Sequence, residues 1–204
     1  MIRDPQMIAS HLQPGASDVE LLQNTVSMTL SVGHVEGLLQ VAVTITNTQA
    51  GHHVPTDFPG RHMILVVTAM DARGQKLVQL DGPTVPRWGG AEAGLPGKAF
   101  AKVLRDVGTG EWPVVSYWKQ ALIISDNRIP AFGSDSSSYA FAASGAEGSI
   151  TVTAELSFRR VFQDVATSKG WDTPDIVMER EQVMIPVQPW GDVFLPLALR
   201  PMRP

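Results

Sequence analysis

Three of the chain's five histidines and one carboxylate fall within eleven positions, in the segment Asn47-Thr48-Gln49-Ala50-Gly51-His52-His53-Val54-Pro55-Thr56-Asp57-Phe58-Pro59-Gly60-Arg61-His62. Imidazole nitrogen and carboxylate oxygen together suit a borderline divalent cation such as zinc. His52, His53, Asp57 and His62 are therefore the candidate metal ligands. Successive side chains of an extended segment point to opposite sides, so a shared ion would take one of His52 and His53 with Asp57 or His62. The competing reading is a rigid corner, in which Pro55 and Pro59 fix φ and an imidazole satisfies loop backbone groups. A metal-dependent hydrolase centred on His52, His53 and Asp57 would be the catalytic version. It would also need a full ligand set, an open position and a base, and no second cluster in the sequence supplies them.

The other polar residues offer less chemistry. Asp126 and Arg128, just before Ile129-Pro130, suit an ion pair or the capping of turn amides. Ser134 to Ser138, with Asp135 among them, reads as a solvated loop, and no Gly-x-Ser-x-Gly elbow supports a nucleophilic serine. Gly108-Thr109-Gly110 lacks the helix and lysine of a phosphate loop. No catalytic residue is assigned. Trp88, Trp112, Trp118, Trp171 and Trp190 mostly flank turns or strand ends; exposed ones could stack on sugar rings or on a protein, while Trp118 is expected in the core. A divalent-metal or carbohydrate-binding module is thus the alternative to an interaction domain.

The elements that must position these residues are mainly strands. Val26 to Val32 and Leu38 to Thr46 alternate apolar and polar residues, the period of a half-buried strand, and Gly33 to Gly37 reads as their hairpin turn. Further strands are expected at His62 to Met70, Lys76 to Leu80, Ala99 to Arg105, Val114 to Trp118, Ala121 to Ser125, Ser138 to Ala143 and Ser149 to Phe158, with a last one over Ile176 to Val187. Gly82 to Gly97 is rich in Gly and Pro and reads as a long surface excursion whose tip is a contact surface. Arg159 to Lys169 is the best helical stretch, stopped by Gly170, and Ser17 with Glu20 fits a capping box for a short helix. Many short strands between turn signals imply an all-β, immunoglobulin-like antiparallel sandwich with long loops and one or two short helices. Residues 1–22 are expected to form a junction, 23–187 the sandwich, and 188–204, broken by prolines, an extended tail.

Composition narrows the function classes. The chain has 204 residues, 44% of them hydrophobic, enough for one substantial core. Its formal charge is −4 without a basic run, which argues against nucleic acid as a partner. No window approaches the roughly 18 apolar residues of a spanning helix, and the N-terminus lacks a signal-peptide stretch. With no cysteine, the chain forms no disulfide and carries no haem attached through Cys-x-x-Cys-His.

Asn47 to Arg61 resembles the Asn-Thr-x-Ala-Gly-His-x-x-Pro-Thr-Gly-x-Pro-x-Arg segment in the C-terminal β-sandwich of a family of bacterial multihaem c-type cytochromes. The turn at Asp71 and Gly74, the strand Lys102-Val103-Leu104-Arg105-Asp106, the element Asp126-Asn127-Arg128-Ile129-Pro130, Tyr139-Ala140-Phe141 and Phe158-Arg159-Arg160 are similar too, over roughly residues 20–160. Asp57 departs from the motif's Gly. The resemblance implies a non-catalytic domain that packs beside haem-bearing segments in an electron-transfer setting, periplasmic or otherwise extracytoplasmic. Haem c would belong to a parent protein, the partner being a haem-bearing domain or cytochrome subunit. Without cysteine, the chain is then either an isolated C-terminal portion, which the polar start at Met1 suits, or a relative that never bound haem. Ser10 to Gly15 looks like the junction after a last haem motif, where His11 would serve as an axial ligand.

Overall fold

The computed structural model describes residues 14–187 except Glu36 and Asp57; His11 and the tail 188–204 lie outside the described residues. Strands β1 (Val26–Val35), β2 (Leu38–Asn47), β8 (Ser134–Ala142) and β4 (Gln79–Asp81) form one antiparallel sheet in the order β1-β2-β8-β4. A second contains β10 (Ile176–Pro186), β9 (Ser149–Arg159), β3 (His62–Met70) and β5 (Gly97–Phe100), in the order β10-β9-β3-β5. The alternation seen in the sequence fixes the register. Leu39, Val41, Val43 and Ile45 of β2 face Met63, Leu65, Val67 and the β9 residues Ile150, Val152, Ala154 and Leu156 in one core shared by both sheets. Each of these side chains is buried, and each contributes about 1.5–3 kcal/mol if large. The molecule is an all-β antiparallel sandwich.

At Phe100 the chain leaves the sandwich. The single strand expected over Ala99 to Arg105 is two: β5 ends there, and β6 (Lys102–Asp106) pairs only with β7 (Ala121–Asp126) in a separate two-stranded ribbon. Asn127 ties its base to the sheet, accepting from the Ala101 amide at 2.9 Å and donating to the Ala99 carbonyl at 2.7 Å. Val114 to Trp118, expected as a strand, is part of the connection between β6 and β7. Trp118 is consequently 73% exposed rather than in the core.

Three other expectations change for local reasons. Ser134 to Ser138 opens β8 instead of forming a loop: Ser134 and Ser136 exchange hydroxyl hydrogen bonds with Thr46 and Thr44 across to β2, both at 2.8 Å. Buried Ser137 meets the Tyr139 hydroxyl, so paired hydroxyls replace apolar side chains in a strand that looks polar. The short helix α1 (Val19–Gln23) is capped by Asp18, whose carboxylate accepts from the Leu21 amide, rather than by Ser17. α1 packs on β10 and places Leu22 in the core, so this part of the expected junction belongs to the body. Helix α2 (Gln163–Lys169) starts later than the sequence suggested because Arg159 still belongs to β9, and Gly170 ends it in the left-handed conformation. Among the described residues no helix is long and apolar enough to cross a membrane.

Candidate functional site

The site lies at the end of the sandwich where β2 stops and β3 starts, and a buried amide organises it. Asn47 is fully buried; its Nδ2 donates to the carbonyls of His52 at 2.8 Å and Pro130 at 3.1 Å, and its Oδ1 accepts from the Ala50 amide at 3.0 Å. Val54 and Ile129 exchange backbone hydrogen bonds of 2.8 and 2.9 Å. Two distant segments of the sequence are thus stapled together, the histidine loop and the stretch after Arg128. Arg128 makes the expected ion pair, 2.7 Å from Asp126, which holds that carboxyl below its usual pKa range.

The candidate ligands do not share one environment. His52 and His53 are exposed, the Nδ1 of His52 lying 3.0 Å from the His53 carbonyl. His62 is fully buried: its ring stacks on Phe162 at 4.8 Å and meets the edge of Trp88 at 5.5 Å. Its Nδ1 donates to the Gly60 carbonyl at 2.9 Å, which leaves Nε2 unprotonated and without a partner. Burial outweighs the bond to Gly60 and lowers its pKa to about 4. Asp57 lies outside the described residues. Among the described residues no group of three His, Asp or Glu side chains stands close enough to hold a metal ion.

The excursion of residues 82–97 packs Trp88 and Gly89 inward and leaves Arg87, Ala91, Ala93, Gly94 and Leu95 exposed. Residues Arg87–Glu92 form a 3-10 segment that presses Trp88 onto His62, and Arg159 clamps it: its guanidinium donates to the Gly89 carbonyl at 2.7 Å, to Glu92 at 2.8 Å and to Asp175 at 2.6 Å. Gly97 is required where the excursion rejoins the sheet, because a Cβ there would run into the Leu65 carbonyl.

Two surfaces at this end remain open. One is a groove of about 750 Å³ between the N-terminal turn and the histidine loop, walled by Ala16, Leu21, Leu22, Ala50, Val54 and Phe158. The other is the ribbon, where Leu122, Ile123 and Ile124 are exposed in succession beside Trp118 and Tyr117. Asp106 braces its turn by accepting from the Gly108 amide and pairing with Lys119 at 2.7 Å, which with that amide lowers its pKa to about 2. The Tyr117 and Trp118 rings stand edge to face, at 84° to each other. The sequence placed a strand at Ala121 to Ser125, which β7 matches, but not its detachment from the sandwich: the unbroken apolar run Ala121 to Ile124 reads as a strand covered on both faces.

No protein-family model matches the chain, and no curated protein does. Among solved structures, a penta-haem cytochrome c552 from Thermochromatium tepidum superposes on 84% of this chain with a TM-score of 0.66 and 20% identity. The fold is shared with a multihaem cytochrome. The chain spans 42% of that protein's length. A Northeast Structural Genomics Consortium target aligns over 78% of this chain and 85% of its own, with a TM-score of 0.32 and 11% identity. The residues of this chain do not fit a covalently held haem, since there is no thiol to form a thioether.

Two outcomes are expected. Asn47→Ala leaves the His52 and Pro130 carbonyls unsatisfied and should cost about 1–3 kcal/mol in urea denaturation; the near-isosteric Asn47→Asp, which cannot donate, should do no better. For His62 the unfolded ring takes its proton near pH 6.5 and the folded ring only at about 4. The unfolded state therefore binds more protons between these values, and stability is full above pH 6.5 and falls on acidification towards pH 4, by on the order of 3 kcal/mol. His62→Phe should flatten that slope when denaturation midpoints are compared across the window.

Proposed function

We propose that this chain is a non-catalytic interaction domain of an extracytoplasmic electron-transfer assembly, which docks its ribbon end onto a haem-bearing protein. The observation that supports the reading is the exposed apolar ribbon on a chain whose fold is similar to part of a penta-haem cytochrome. A two-stranded ribbon is marginal alone in water, and Leu122, Ile123 and Trp118 expose apolar area of the kind that marks interaction sites. The likeness to part of a multihaem cytochrome, in a chain without cysteine, favours a haem-bearing polypeptide as what covers it. The domain would set orientation and distance for electron transfer by the partner's haems, having no redox group of its own. His52 and His53 would sit at the rim of the contact.

Because haem absorbance reports the partner alone, size-exclusion chromatography with purified multihaem c-type cytochromes of the same organism gives a direct test. A complex is expected, weakened at least tenfold in Ile123→Asp and in Trp118→Ser, both exposed positions at which the fold should survive. Absence of any complex, or one indifferent to both substitutions, would contradict the reading; saturable zinc binding lost in His52→Ala would favour the metal-binding module.

A further inference from the structure

We infer that the groove at the end of the sandwich is the docking site for the chain's own N-terminal segment, residues 1–13. Position comes first. The described chain enters at the 3-10 turn Pro14–Ala16, and Gly15 and Ala16 are themselves part of the groove wall. The thirteen preceding residues therefore start at its rim. An extended chain reaches about 3.3–3.6 Å per residue, so Met7 and Ile8 can reach any part of a groove this size. Tethered this closely, they act at an effective concentration in the millimolar range, and a modest apolar contact suffices to keep the groove filled.

The chemistry of the walls agrees. Leu21, Leu22, Ala50, Val54, Pro55 and Phe158 are apolar, and the groove's volume of about 750 Å³ lies within the 300–1,000 Å³ typical of small-ligand pockets. Asn24, Thr25, Gln49, His52, Thr56 and Arg61 also line the groove and form the polar part of its wall. The His52 carbonyl and the Ala50 amide of the loop are turned to Asn47. The apolar part of the wall suits aliphatic side chains and the polar part a charged spacer, and the sequence Met1-Ile2-Arg3-Asp4-Pro5-Gln6-Met7-Ile8 supplies two apolar pairs separated by a polar, proline-containing spacer. The segment would clasp the histidine loop against α1 and leave the ribbon free, so this inference goes beyond the docking role and does not depend on it.

A chain without cysteine gives a clean background for disulfide trapping. The full chain carrying Ile8→Cys and Ala50→Cys should form an intramolecular disulfide at least tenfold faster than the chain carrying Ile8→Cys and Ser144→Cys, whose second thiol sits in an exposed turn at the opposite end of the sandwich. Met7→Cys in place of Ile8→Cys guards against a shift of register, and circular dichroism of the reduced variants confirms that each is folded. Equal rates for the Ala50 and Ser144 partners with both reporters would overturn the inference. No haem protein enters the assay, so its failure would leave the docking role standing.

Discussion

The amide of Asn47 is the constraint on which the functional end of this protein rests. A loop can be buried only if its backbone groups find partners, and where β2 ends the sheet no longer provides them. One side chain takes over: it accepts from Ala50 and donates to His52 and Pro130, closing the histidine loop and binding it to the segment after Arg128. The Val54–Ile129 bridge extends that contact into backbone pairing. The result is a shaped rim whose His52 and His53 face solvent while Asn47 and Val54 are buried beneath it.

Behind that rim a second set of contacts keeps the surface stiff. His62, Trp88 and Phe162 form a packed aromatic group, and Arg159 joins β9, the 3-10 segment and Asp175 with charge-assisted hydrogen bonds. Burying a neutral imidazole here costs one unpaired nitrogen but gives a rigid ring-on-ring contact. A docking surface gains from such stiffness, because less freedom is lost when a partner arrives. The ribbon extends from this rigid base through Asn127.

Most of the sandwich was legible because period-two alternation in β1, β2 and β9 records which face meets the core, while β3 is a nearly continuous apolar run buried on both faces at its start. Only the first half of β8 was hidden, by serines whose hydroxyls pair across strands in a way that hydropathy does not register. The inward packing of Trp88 within residues 82–97 was invisible because Gly and Pro signal a loop without saying where it packs; only the contacts of Trp88 and Arg159 decide that. The Asp126–Arg128 pair followed from proximity alone. The histidine loop was correctly singled out, but a cluster in sequence is not one in space: β3 pulls His62 under the aromatic group while His52 and His53 stay outside. The apolar run of β7 was read as an ordinary strand, since nothing local distinguishes a buried strand from one awaiting a cover.

The central claim is that one end of the molecule is the working end. Hydrogen exchange read by mass spectrometry, with and without a purified multihaem cytochrome of the same organism, tests it most directly. The account predicts slowed exchange over residues 103–107 and 115–126 and at the rim around 52–56, with no change at the β1–β2 hairpin tip or the turn at 143–148. Protection confined to that opposite end, or spread evenly over both, would contradict it.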